Sequence, residues 1–497
     1  MPKRDLVLTI DLGTTNCKCM LFSNDGSIVS KATASYPSYY PYPGWVEQKP
    51  DDWWAAIVAS VRQGLKRAEV KRGEVTVISV TGQMHGIVPV GSNGEALGPC
   101  LTLRDNRAVD EAEEIATAVG LSKIYRITGA RLTPSAPIAK IRWLKKHEER
   151  LYDSTQVFLP CKDYIRHLLT GDIGTDPIDA AGTLMFDIRR RDWSEELLDS
   201  AGISVEELPV VQPSWKLAGH LRDEAARQLN LEVGIPVVIG AGDDIEFLGV
   251  GMVEPGTSLE HIGTTGAIMT CVKGITFDPS MSVEIYPHVD EGLWLLGGSV
   301  NAAGAALAWA ARVLYAEEGK PIATLFGCKE DLLPDVDNPL IFLPYLSGER
   351  CPIWEPQARA GWLGLTLEHG RKEMLRAVVE GVVFSLKHVL EKIEEVAGPL
   401  GSILVMGDPE AELLWLTLRA SIYDRPLQLV QSAEPTSLGA MILGGLCIGL
   451  FDNLEEAVGA TVSMNGLIPP EKDVAESYVP LYDLYKKASV ACSSMFN

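Results

Sequence analysis

Short apolar runs alternate with polar turns in the N-terminal part of the chain. Three of these runs lie close together and predict a meander of β-strands: Leu6–Ile10, Lys18–Phe22 and Ile28–Ala34. The next segment, Pro50–Ala68, has apolar residues at helical spacing, and Asp51 or Asp52 is its expected N-cap. The β-branched run Val75–Val80 then predicts a further strand. This alternation of strands and helices is typical of layered α/β domains.

Later segments add helices to this pattern. Ile138–Glu148 has helical spacing, and Lys372–Val396 has apolar residues three or four positions apart along most of its length. The run Gly292–Ala311 contains no charged residue and no histidine, and it predicts a buried helix with its entry loop. Its glycines and Asn301 argue against a membrane span.

The same short phrase occurs once in each half of the chain. Gly13-Thr14-Thr15 separates two strand-like runs near the N-terminus, and Gly263-Thr264-Thr265 separates two more in the second half. A tight turn of this composition offers backbone N–H groups and hydroxyls to an anion such as a polyphosphate. Three glycines and a proline in Gly249–Gly256 indicate a domain connection. The pattern predicts two related domains, residues 1–248 and 249–497, facing each other across a nucleotide.

Composition and charge narrow the class of protein. The chain has 497 residues, of which 46% are hydrophobic and 22% charged, as expected for a globular protein of two domains. A net charge of -22 argues against nucleic-acid and anionic-membrane partners, which require a basic surface. The nine cysteines are scattered and form no Cys-x-x-Cys pair, which favours reduced, buried thiols. With no signal-peptide pattern at the N-terminus, we expect a cytoplasmic protein.

Several polar residues are candidates for chemistry. Asp243 follows a core-type strand, where a carboxylate can act in a cleft, although a turn-forming role explains the pattern equally well. His85 also follows a strand, and a packed structural histidine is the more frequent outcome there. On their own, Glu47 and Asp105 are typical of solvated acids. The pair Glu349-Arg350 fits a structural ion pair as well as a ligand contact.

Two long motifs, taken together, resemble the signatures of the FGGY carbohydrate kinases. They are residues 135–144, from Ser135 to Leu144, and residues 361–365 followed by 373–380. Two shorter runs, Gln83-Met84-His85-Gly86 and Leu346–Arg350, are similar to the xylulokinase branch of that family. The resemblance covers nearly the whole chain in order. It implies an α/β fold of two duplicated ribonuclease H-like, actin-like ATPase domains with a cleft between them.

The resemblance also implies roles for single residues. Asp243 is similar to the general base that takes the proton from the attacking sugar hydroxyl, and Asp11 is similar to the acid that holds Mg²⁺, with Asp243 as a second metal contact. The nucleotide contacts that it implies, for ATP, are Thr14, Thr15, Lys18, Gly263, Thr264, Thr265, Asn301, Gly304 and Gly407. The sugar contacts that it implies are Gln83, Met84, His85, Asp105, Asp243 and Asp244.

The chain departs from the family pattern in two places. Where the family usually has Gly-Gly-Gly-Ala against the nucleotide, this chain has Gly407-Asp408-Pro409-Glu410. Proline removes an amide donor and the two acids add negative charge, so close approach of a phosphate becomes harder and the donor is left open. Asp244 stands where xylulokinases commonly have asparagine. It adds a second carboxylate beside the expected base and bears on the choice of substrate.

These observations lead to one principal hypothesis and several rivals. The principal one is an ATP- and Mg²⁺-dependent kinase that phosphorylates a terminal hydroxyl of a small sugar or polyol, with D-xylulose first. Ribulose, gluconate, erythritol and glycerol remain open; glycerol is last, because Met84-His85 stands where glycerol kinases have an Arg-Glu pair. Rivals from other classes are a binding protein that has lost transfer activity and an actin- or chaperone-like ATPase. The expected partner is the small-molecule substrate, and the oligomeric state is left open, a homodimer included.

Overall fold

The computed structural model describes residues 5–71, 73–315, 332–407, 409–493 and 495. The chain folds into two compact units, and each unit takes its residues from three segments. The first unit comprises Met1–Val253, Tyr286–Leu293 and Ser432–Val462, and the second comprises Glu254–Ile285, Trp294–Gln431 and Ser463–Asn497. A single boundary therefore does not describe the units, because residues 432–462 return to the first one.

The N-terminal half of the chain alternates strands and helices. Its strands are β1 (Leu6–Leu12), β2 (Asn16–Phe22), β3 (Ile28–Ser35), β4 (Glu47–Gln48), β5 (Val75–Gly82), β6 (Val88–Val90), β7 (Cys100–Leu101), β8 (Val157–Leu159), β9 (Gly174–Thr175), β10 (Phe186–Asp187), β11 (Asp192–Trp193), β12 (Val210–Val211), β13 (Leu217–His220), β14 (Pro236–Val238) and β15 (Ala241–Gly242). Its α-helices are α1 (Pro50–Arg67), α2 (Val109–Val119), α3 (Leu121–Thr128), α4 (Pro137–His147), α5 (Glu149–Ser154), α6 (Cys161–Thr170), α7 (Pro177–Gly182), α8 (Glu195–Ala201), α9 (Asp223–Leu229) and α10 (Glu246–Gly249). Short 3₁₀-helices lie at Val205–Glu207 and Asp243–Ile245.

The C-terminal half follows a similar pattern. Its strands are β16 (Ser258–Ile262), β17 (Gly266–Lys273), β18 (Glu284–Pro287), β19 (Leu293–Val300), β20 (Ile341–Leu343), β21 (Gly361–Leu363), β22 (Ile403–Met406), β23 (Leu427–Gln431) and β24 (Ser463–Ile468). Its described helices are α11 (Gly304–Tyr315), α12 (Arg371–Ala397), α13 (Pro409–Tyr423), α14 (Pro435–Cys447), α15 (Leu454–Thr461) and α16 (Lys472–Ser493).

The main sheet of the first unit has the strand order β13-β14-β5-β1-β2-β3, and β15 also pairs with β5. Strands β1, β2 and β3 form the predicted antiparallel meander. Strands β1 and β14 run parallel to β5. Every residue of β1 is buried, which explains why its sequence is nearly continuously apolar and does not alternate.

The main sheet of the second unit has the order β18-β19-β17-β16-β22-β23-β24. Its hairpin β16-β17 is antiparallel, and β22 and β23 follow in parallel, as β5 and β14 follow β1 in the first sheet. Strand β24 pairs antiparallel with β23, as β13 does with β14. Five strands of each sheet, β3-β2-β1-β5-β14 and β19-β17-β16-β22-β23, have the same order in space and along the chain. The next strand differs, because β13 precedes β14 along the chain whereas β24 follows β23. The duplication predicted from the repeated turn is therefore confirmed.

Helix α1 confirms the predicted helix but not its predicted cap. It begins at Pro50 with Lys49 as the N-cap, and Asp51 and Asp52 lie in the first turn. The N-cap prediction for these two acids is wrong. Proline is suited to the first helical position because its missing N–H would have no partner there. Acids in the first turn are stabilised by the positive end of the helix dipole.

The charge-free run at residues 292–311 contains a strand that the sequence pattern did not predict. Its first part is β19, and the helix α11 starts only at Gly304. The prediction of a buried helix with an entry loop is therefore wrong for Leu293–Val300. A buried strand and a buried helix have similar apolar composition, so periodicity did not separate them. The helices predicted at 138–148 and 372–396 are confirmed as α4 and α12.

The described part of the chain contains eight of the nine cysteines. The eight cysteines described there form no disulfide, and six of them are buried; Cys328 lies outside the described residues. Cys17 and Cys19 share one face of β2, with their Sγ atoms 3.8 Å apart. None of the helices described is both long and apolar enough to cross a membrane.

Candidate active site

Three parallel strands of the first unit end side by side. Leu12, at the end of β1, lies beside Gly82 at the end of β5, which in turn lies beside Gly242 at the end of β15. The segments that leave these strands therefore start from one edge of the sheet, the usual place for ligands in open α/β sheets. These segments carry the first Gly-Thr-Thr turn, then Gln83, then Asp243.

An ion pair lies at the end of β1. Asp11 and Lys18 are partners across β1 and β2, and Lys18 Nζ lies 3.3 Å from Asp11 Oδ2. Lys18 Nζ also lies 2.8 Å from Glu434 Oε2, and Lys31 pairs with the other oxygen of Glu434. Burial raises the pKa of Asp11. Burial lowers the pKa of Lys18, but Asp11 and Glu434 outweigh it and hold that pKa above its usual value. Lys18 is thus a cation held between two carboxylates.

The first Gly-Thr-Thr turn is held from behind by a glutamine. Gln48 Nε2 donates a hydrogen bond of 2.8 Å to the carbonyl oxygen of Thr14. Gln48 Oε1 accepts one of 2.8 Å from Gln83 Nε2. Gln48 and Gln83 are buried, whereas Thr14 and Thr15 are exposed. The arrangement connects the predicted sugar-side residue Gln83 to the predicted phosphate turn.

Asp243 and Asp244 begin a short 3₁₀-helix directly after β15. Both residues are partly buried. Burial raises the pKa of Asp243 well above its usual value, and the carboxylates of Asp244, Asp11 and Asp179 raise it further. A carboxylate whose pKa is raised is a stronger proton acceptor, as a general base requires.

Met84 packs against Gly242, the residue that precedes Asp243, and His85 lies against α7. A Cβ atom at Gly242 would lie 2.4 Å from Met84 Cγ, so only glycine leaves room for this methionine. His85 has a φ of 58°, a left-handed conformation that is costly for a residue other than glycine. Its Nδ1 lies 2.8 Å from the carbonyl oxygen of Gly182, the last residue of α7. The structure thus places Met84, His85 and Asp243 on neighbouring strand ends.

Asp105 is buried and engages both oxygens of its carboxylate. Its Oδ2 accepts from Val46 N and from Arg107 Nη2, each at 2.7 Å, and its Oδ1 accepts from Arg107 Nε at 2.9 Å. Arg107 also pairs with Glu47 at 2.7 Å, and its guanidinium lies 3.8 Å above the Trp45 ring. The interpretation of Glu47 and Asp105 as solvated acids is therefore wrong. A direct contact of Asp105 with the sugar stays a prediction.

Sequence reasoning missed a buried cluster of charges behind the predicted sugar-binding residues. Lys162 Nζ lies 2.6 Å from Asp163, 3.0 Å from Asp176 and 3.2 Å from Asp179, and all four side chains are buried. Burial raises the pKa of Asp179 well above its usual value. Asp176 caps the helix α7, whose last carbonyl binds His85. A sequence signal for this cluster was the adjacent pair Lys162-Asp163 just after the apolar strand Val157–Leu159.

The second unit holds its Gly-Thr-Thr turn against the start of α11. Gly304 N donates to the carbonyl oxygen of Gly263 at 2.9 Å, and Ala305 N donates to that of Thr264 at 3.1 Å. A Cβ atom at Gly304 would lie 2.4 Å from the oxygen of Gly263. The side chains of Thr264 and Thr265 are exposed. The turn is thus open to solvent on one side and bound to a helix start on the other.

Two further predicted nucleotide contacts lie in the second unit. Asn301 comes just before α11, and its Oδ1 accepts a hydrogen bond of 2.8 Å from Arg350 Nε. Gly407 is exposed at the end of β22, and a Cβ atom there would lie 3.1 Å from Glu412 Oε2. Asp408 and the side chains of Pro409 and Glu410 lie outside the described residues, so this departure from the family pattern stays a sequence observation.

The described part of the chain contains no group of three or more His, Cys, Asp or Glu side chains arranged to hold a metal ion. Mg²⁺ sites in proteins commonly use only one or two protein carboxylates. Water and phosphate oxygens are the usual additional ligands of Mg²⁺.

Two sequence models of carbohydrate kinases match the chain. The model of the FGGY family of carbohydrate kinases, N-terminal domain, matches residues 6–248, and the model of the C-terminal domain matches residues 259–447. The two matches together cover most of the chain.

Individual relatives agree with this assignment. A gluconokinase from Bacillus subtilis is 31% identical, over 96% of this chain and 94% of the relative. A xylulose kinase from the same species is 29% identical, over 97% and 96%. The crystal structure of a ligand-bound xylulose kinase from Lactobacillus acidophilus matches with a TM-score of 0.92 at 30% identity, covering 99% of both chains. This chain belongs to the FGGY family of carbohydrate kinases and has its actin-like ATPase fold, as the motifs predicted.

Proposed function

We propose that this FGGY-family kinase transfers the γ-phosphate of ATP to a terminal hydroxyl of D-xylulose. The observation that carries the proposal is the order of side chains on three adjacent strand ends of the first unit. The Asp11–Lys18 pair lies at the end of β1, Met84 and His85 follow β5, and Asp243 follows β15. A phosphate contact, a sugar contact and a base thus come from neighbouring positions on one sheet edge.

Asp243 is the general base in this proposal. It accepts the proton of the sugar hydroxyl while the hydroxyl oxygen forms a bond to the γ-phosphorus. The bond from that phosphorus to the bridging oxygen of ADP breaks in the same displacement. Such transfers depend mainly on positioning and charge stabilisation, so the base needs correct placement more than unusual strength. The raised pKa of Asp243, caused by burial and by neighbouring acids, adds to its basicity near neutral pH.

Asp11 and Asp243 fit a divalent cation. The charge of Asp11 contributes to the raised pKa of Asp243, so the two carboxylates repel each other in the absence of a cation. One or two protein carboxylates with water and substrate phosphates form a usual Mg²⁺ site. When bound, Mg²⁺ would neutralise charge on the β- and γ-phosphates. Lys18 and the hydroxyls of Thr14 and Thr15 would bind phosphate oxygens.

The second unit supplies further proposed contacts to the nucleotide that donates the phosphate. Thr264 and Thr265 are exposed on a turn whose carbonyls are bound to α11, so the turn can present N–H groups and hydroxyls to phosphate. Asn301 and Gly304 fix this helix start, and Gly407 is the small residue at the end of β22. We assign all five residues to the nucleotide.

The charge around Asp243 favours a neutral acceptor. The carboxylates of Asp244 and Asp179 lie close enough to Asp243 to raise its pKa, so the surroundings of the proposed base are negative. An acceptor that carries its own carboxylate, such as gluconate, would add to this repulsion, whereas a neutral ketose would not. Gluconate is the second candidate, because a gluconokinase is 31% identical to this chain. Met84 offers an apolar surface, and His85 offers an imidazole for a hydroxyl.

A coupled ADP-release assay tests the proposal. The purified chain is given ATP and Mg²⁺ with D-xylulose, D-ribulose, D-gluconate, erythritol or glycerol, and with several other nucleotide donors. We expect the highest kcat/KM with D-xylulose and ATP. Higher kcat/KM with gluconate would identify the second candidate. ADP release that no acceptor changes would indicate an actin- or chaperone-like ATPase, and nucleotide binding without ADP release would indicate a binding protein.

A further inference from the structure

Glu349 is a buried carboxylate in the second unit that the proposed function does not use. It is 2% exposed and lies in the loop Leu346–Arg350. Its Oε1 accepts the backbone N–H of Asn301 at 2.7 Å and that of Arg350 at 2.9 Å. Ser385 of α12 donates to its Oε2 at 3.4 Å. The carboxylate therefore joins this loop to the segment that leads into α11.

The same loop also binds the side chain of Asn301. Arg350 Nε donates to Asn301 Oδ1 at 2.8 Å, and Asn301 Nδ2 donates to the carbonyl oxygen of Ser347 at 3.2 Å. Together with the bond from its backbone N–H to Glu349, this gives Asn301 three hydrogen bonds to one loop. Its position and orientation are thus fixed by residues distant in sequence.

From Asn301 the contacts continue to the second Gly-Thr-Thr turn. The N–H groups of Gly304 and Ala305 bind the carbonyls of Gly263 and Thr264. The contact is close, because a Cβ atom at Gly304 would lie 2.4 Å from the oxygen of Gly263. A shift of the helix start would therefore move the turn, since tightly packed backbone leaves no room to absorb it.

We propose that Glu349 is a positioning residue for the nucleotide phosphates. It fixes Asn301, and through the start of α11 it fixes the turn Gly263–Thr265. Glu349 itself touches no ligand. The inference rests on the proposed nucleotide role of that turn. It predicts that loss of the carboxylate weakens the binding of ATP selectively, because small misplacements of binding groups are costly.

Three variants test this inference. Glu349→Ala removes the acceptor, and we expect KM for ATP to rise about tenfold while KM for the sugar changes less than about twofold. Glu349→Gln keeps an oxygen that can accept both backbone N–H groups but carries no charge, and we expect it to recover part of the loss, with KM for ATP about threefold above that of the wild type. The matched control is Glu380→Gln. Glu380 is another buried glutamate of this unit, bonded to Arg376 and Tyr478, and we expect lower thermal stability with KM for ATP unchanged.

Direct nucleotide binding separates this inference from the proposed reaction. Titration of each variant with Mg²⁺–ATP by calorimetry needs no acceptor. If the wild type phosphorylates no sugar, the proposed reaction fails, yet weaker ATP binding by Glu349→Ala still supports the positioning role. Equal changes in both KM values, unchanged ATP affinity in folded Glu349→Ala, no recovery in Glu349→Gln, or a wild type that binds no nucleotide would each overturn it.

A pH series keeps the test valid if Glu349→Ala does not fold. Burial raises the pKa of Glu349 to about 7, and its bonds to the N–H groups of Asn301 and Arg350 oppose the rise. The groups that face it are the Arg350 guanidinium, Tyr345 and Cys351 of the same segment, and Tyr485 of α16. A protonated carboxyl accepts weaker hydrogen bonds than a carboxylate. We therefore expect the ratio of KM for ATP, wild type over Glu349→Gln, to rise as pH falls from 8 to 6. A ratio that does not change with pH would contradict the role. Protonation of ATP affects both KM values equally and therefore does not change their ratio.

Discussion

The two Gly-Thr-Thr turns share their sequence but differ in what surrounds them. The side chains of Gln48 and Tyr36 donate to carbonyls of the first turn, and the backbone N–H of Tyr36 donates to the carbonyl of Thr15. The second is held by backbone N–H groups at the start of α11. The first is flanked by the ion pair of Asp11 and Lys18, whereas His261 stands at the place of Asp11 in the second.

This difference indicates that the two copies of the turn have different roles. A turn offers the same N–H groups and hydroxyls in both places, so both copies can bind phosphate. In the proposed reaction, the charged groups lie beside the first copy, in Asp11 and Lys18, with Asp243 at a nearby strand end. We therefore expect changes near the first turn to lower kcat, and changes behind the second turn to raise KM for ATP.

The largest effect is expected at Asp243. Asp243→Asn removes the proton acceptor, and loss of a general base lowers kcat by ~10²–10⁴-fold. ATP binding, followed by calorimetry, is expected to persist, and the melting temperature is expected to hold or rise because a repelled buried charge is removed. Turnover close to that of the wild type in the ADP-release assay would exclude Asp243 as the base.

The next effect is expected at Lys18. Lys18→Met removes the cation between Asp11 and Glu434, and we expect kcat to fall by about 10²-fold, the scale of losing one group that stabilises transition-state charge. Lys31→Met is the matched control, since Lys31 also pairs with Glu434 but is more exposed. It is expected to change kcat less than about twofold, as exposed ion pairs contribute little. Similar losses in both variants would show that the pairing with Glu434 matters, and not the position of Lys18.

A third change tests the contact between the start of α11 and the second turn. Gly304→Ala places a methyl group 2.4 Å from the oxygen of Gly263. We expect a loss of ~1–3 kcal/mol in the free energy of unfolding, together with a higher KM for ATP and a nearly unchanged kcat at saturation. Gly401→Ala is the control, because a Cβ atom there has nothing within 4 Å. Unfolding in denaturant measures the loss of stability, and rates at varied ATP concentration give KM for ATP and kcat. A fall in kcat with KM for ATP unchanged would contradict the role expected for the second turn.

The smallest effect concerns the pH profile. Asp244 is one of the acids that raise the pKa of Asp243. A base must be deprotonated to act, so kcat/KM falls as pH decreases through the raised pKa. Asp244→Asn removes a like charge, and we expect this acidic limb to move to lower pH by on the order of half a unit to one unit. Glu113→Gln, on the exposed side of α2, should leave the limb in place; a limb that moves upward or not at all would show that Asp244 does not influence the base.

The site was predicted from the sequence unevenly. Motifs in chain order were enough for the family. The core-type strand before Asp243 marked that residue as a candidate, with a turn role equally open, whereas a role for Asp11 was implied only by the resemblance. Nothing local marked Asp105 as buried. Its partners Val46 and Arg107 come from a loop about sixty residues away and from its own turn, and only the fold brings them together.

The sequence alone was sufficient for the family, the α/β class and the repeated turn, since these depend on short-range patterns of apolar residues, glycine and threonine. The tertiary structure decided which contacts hold each turn, that residues 432–462 belong to the first unit, and that Lys162 lies buried among three carboxylates. The reason is physical. Local patterns fix backbone conformation, but ion pairs and buried hydrogen bonds form between residues far apart in sequence, and only the folded chain sets those distances.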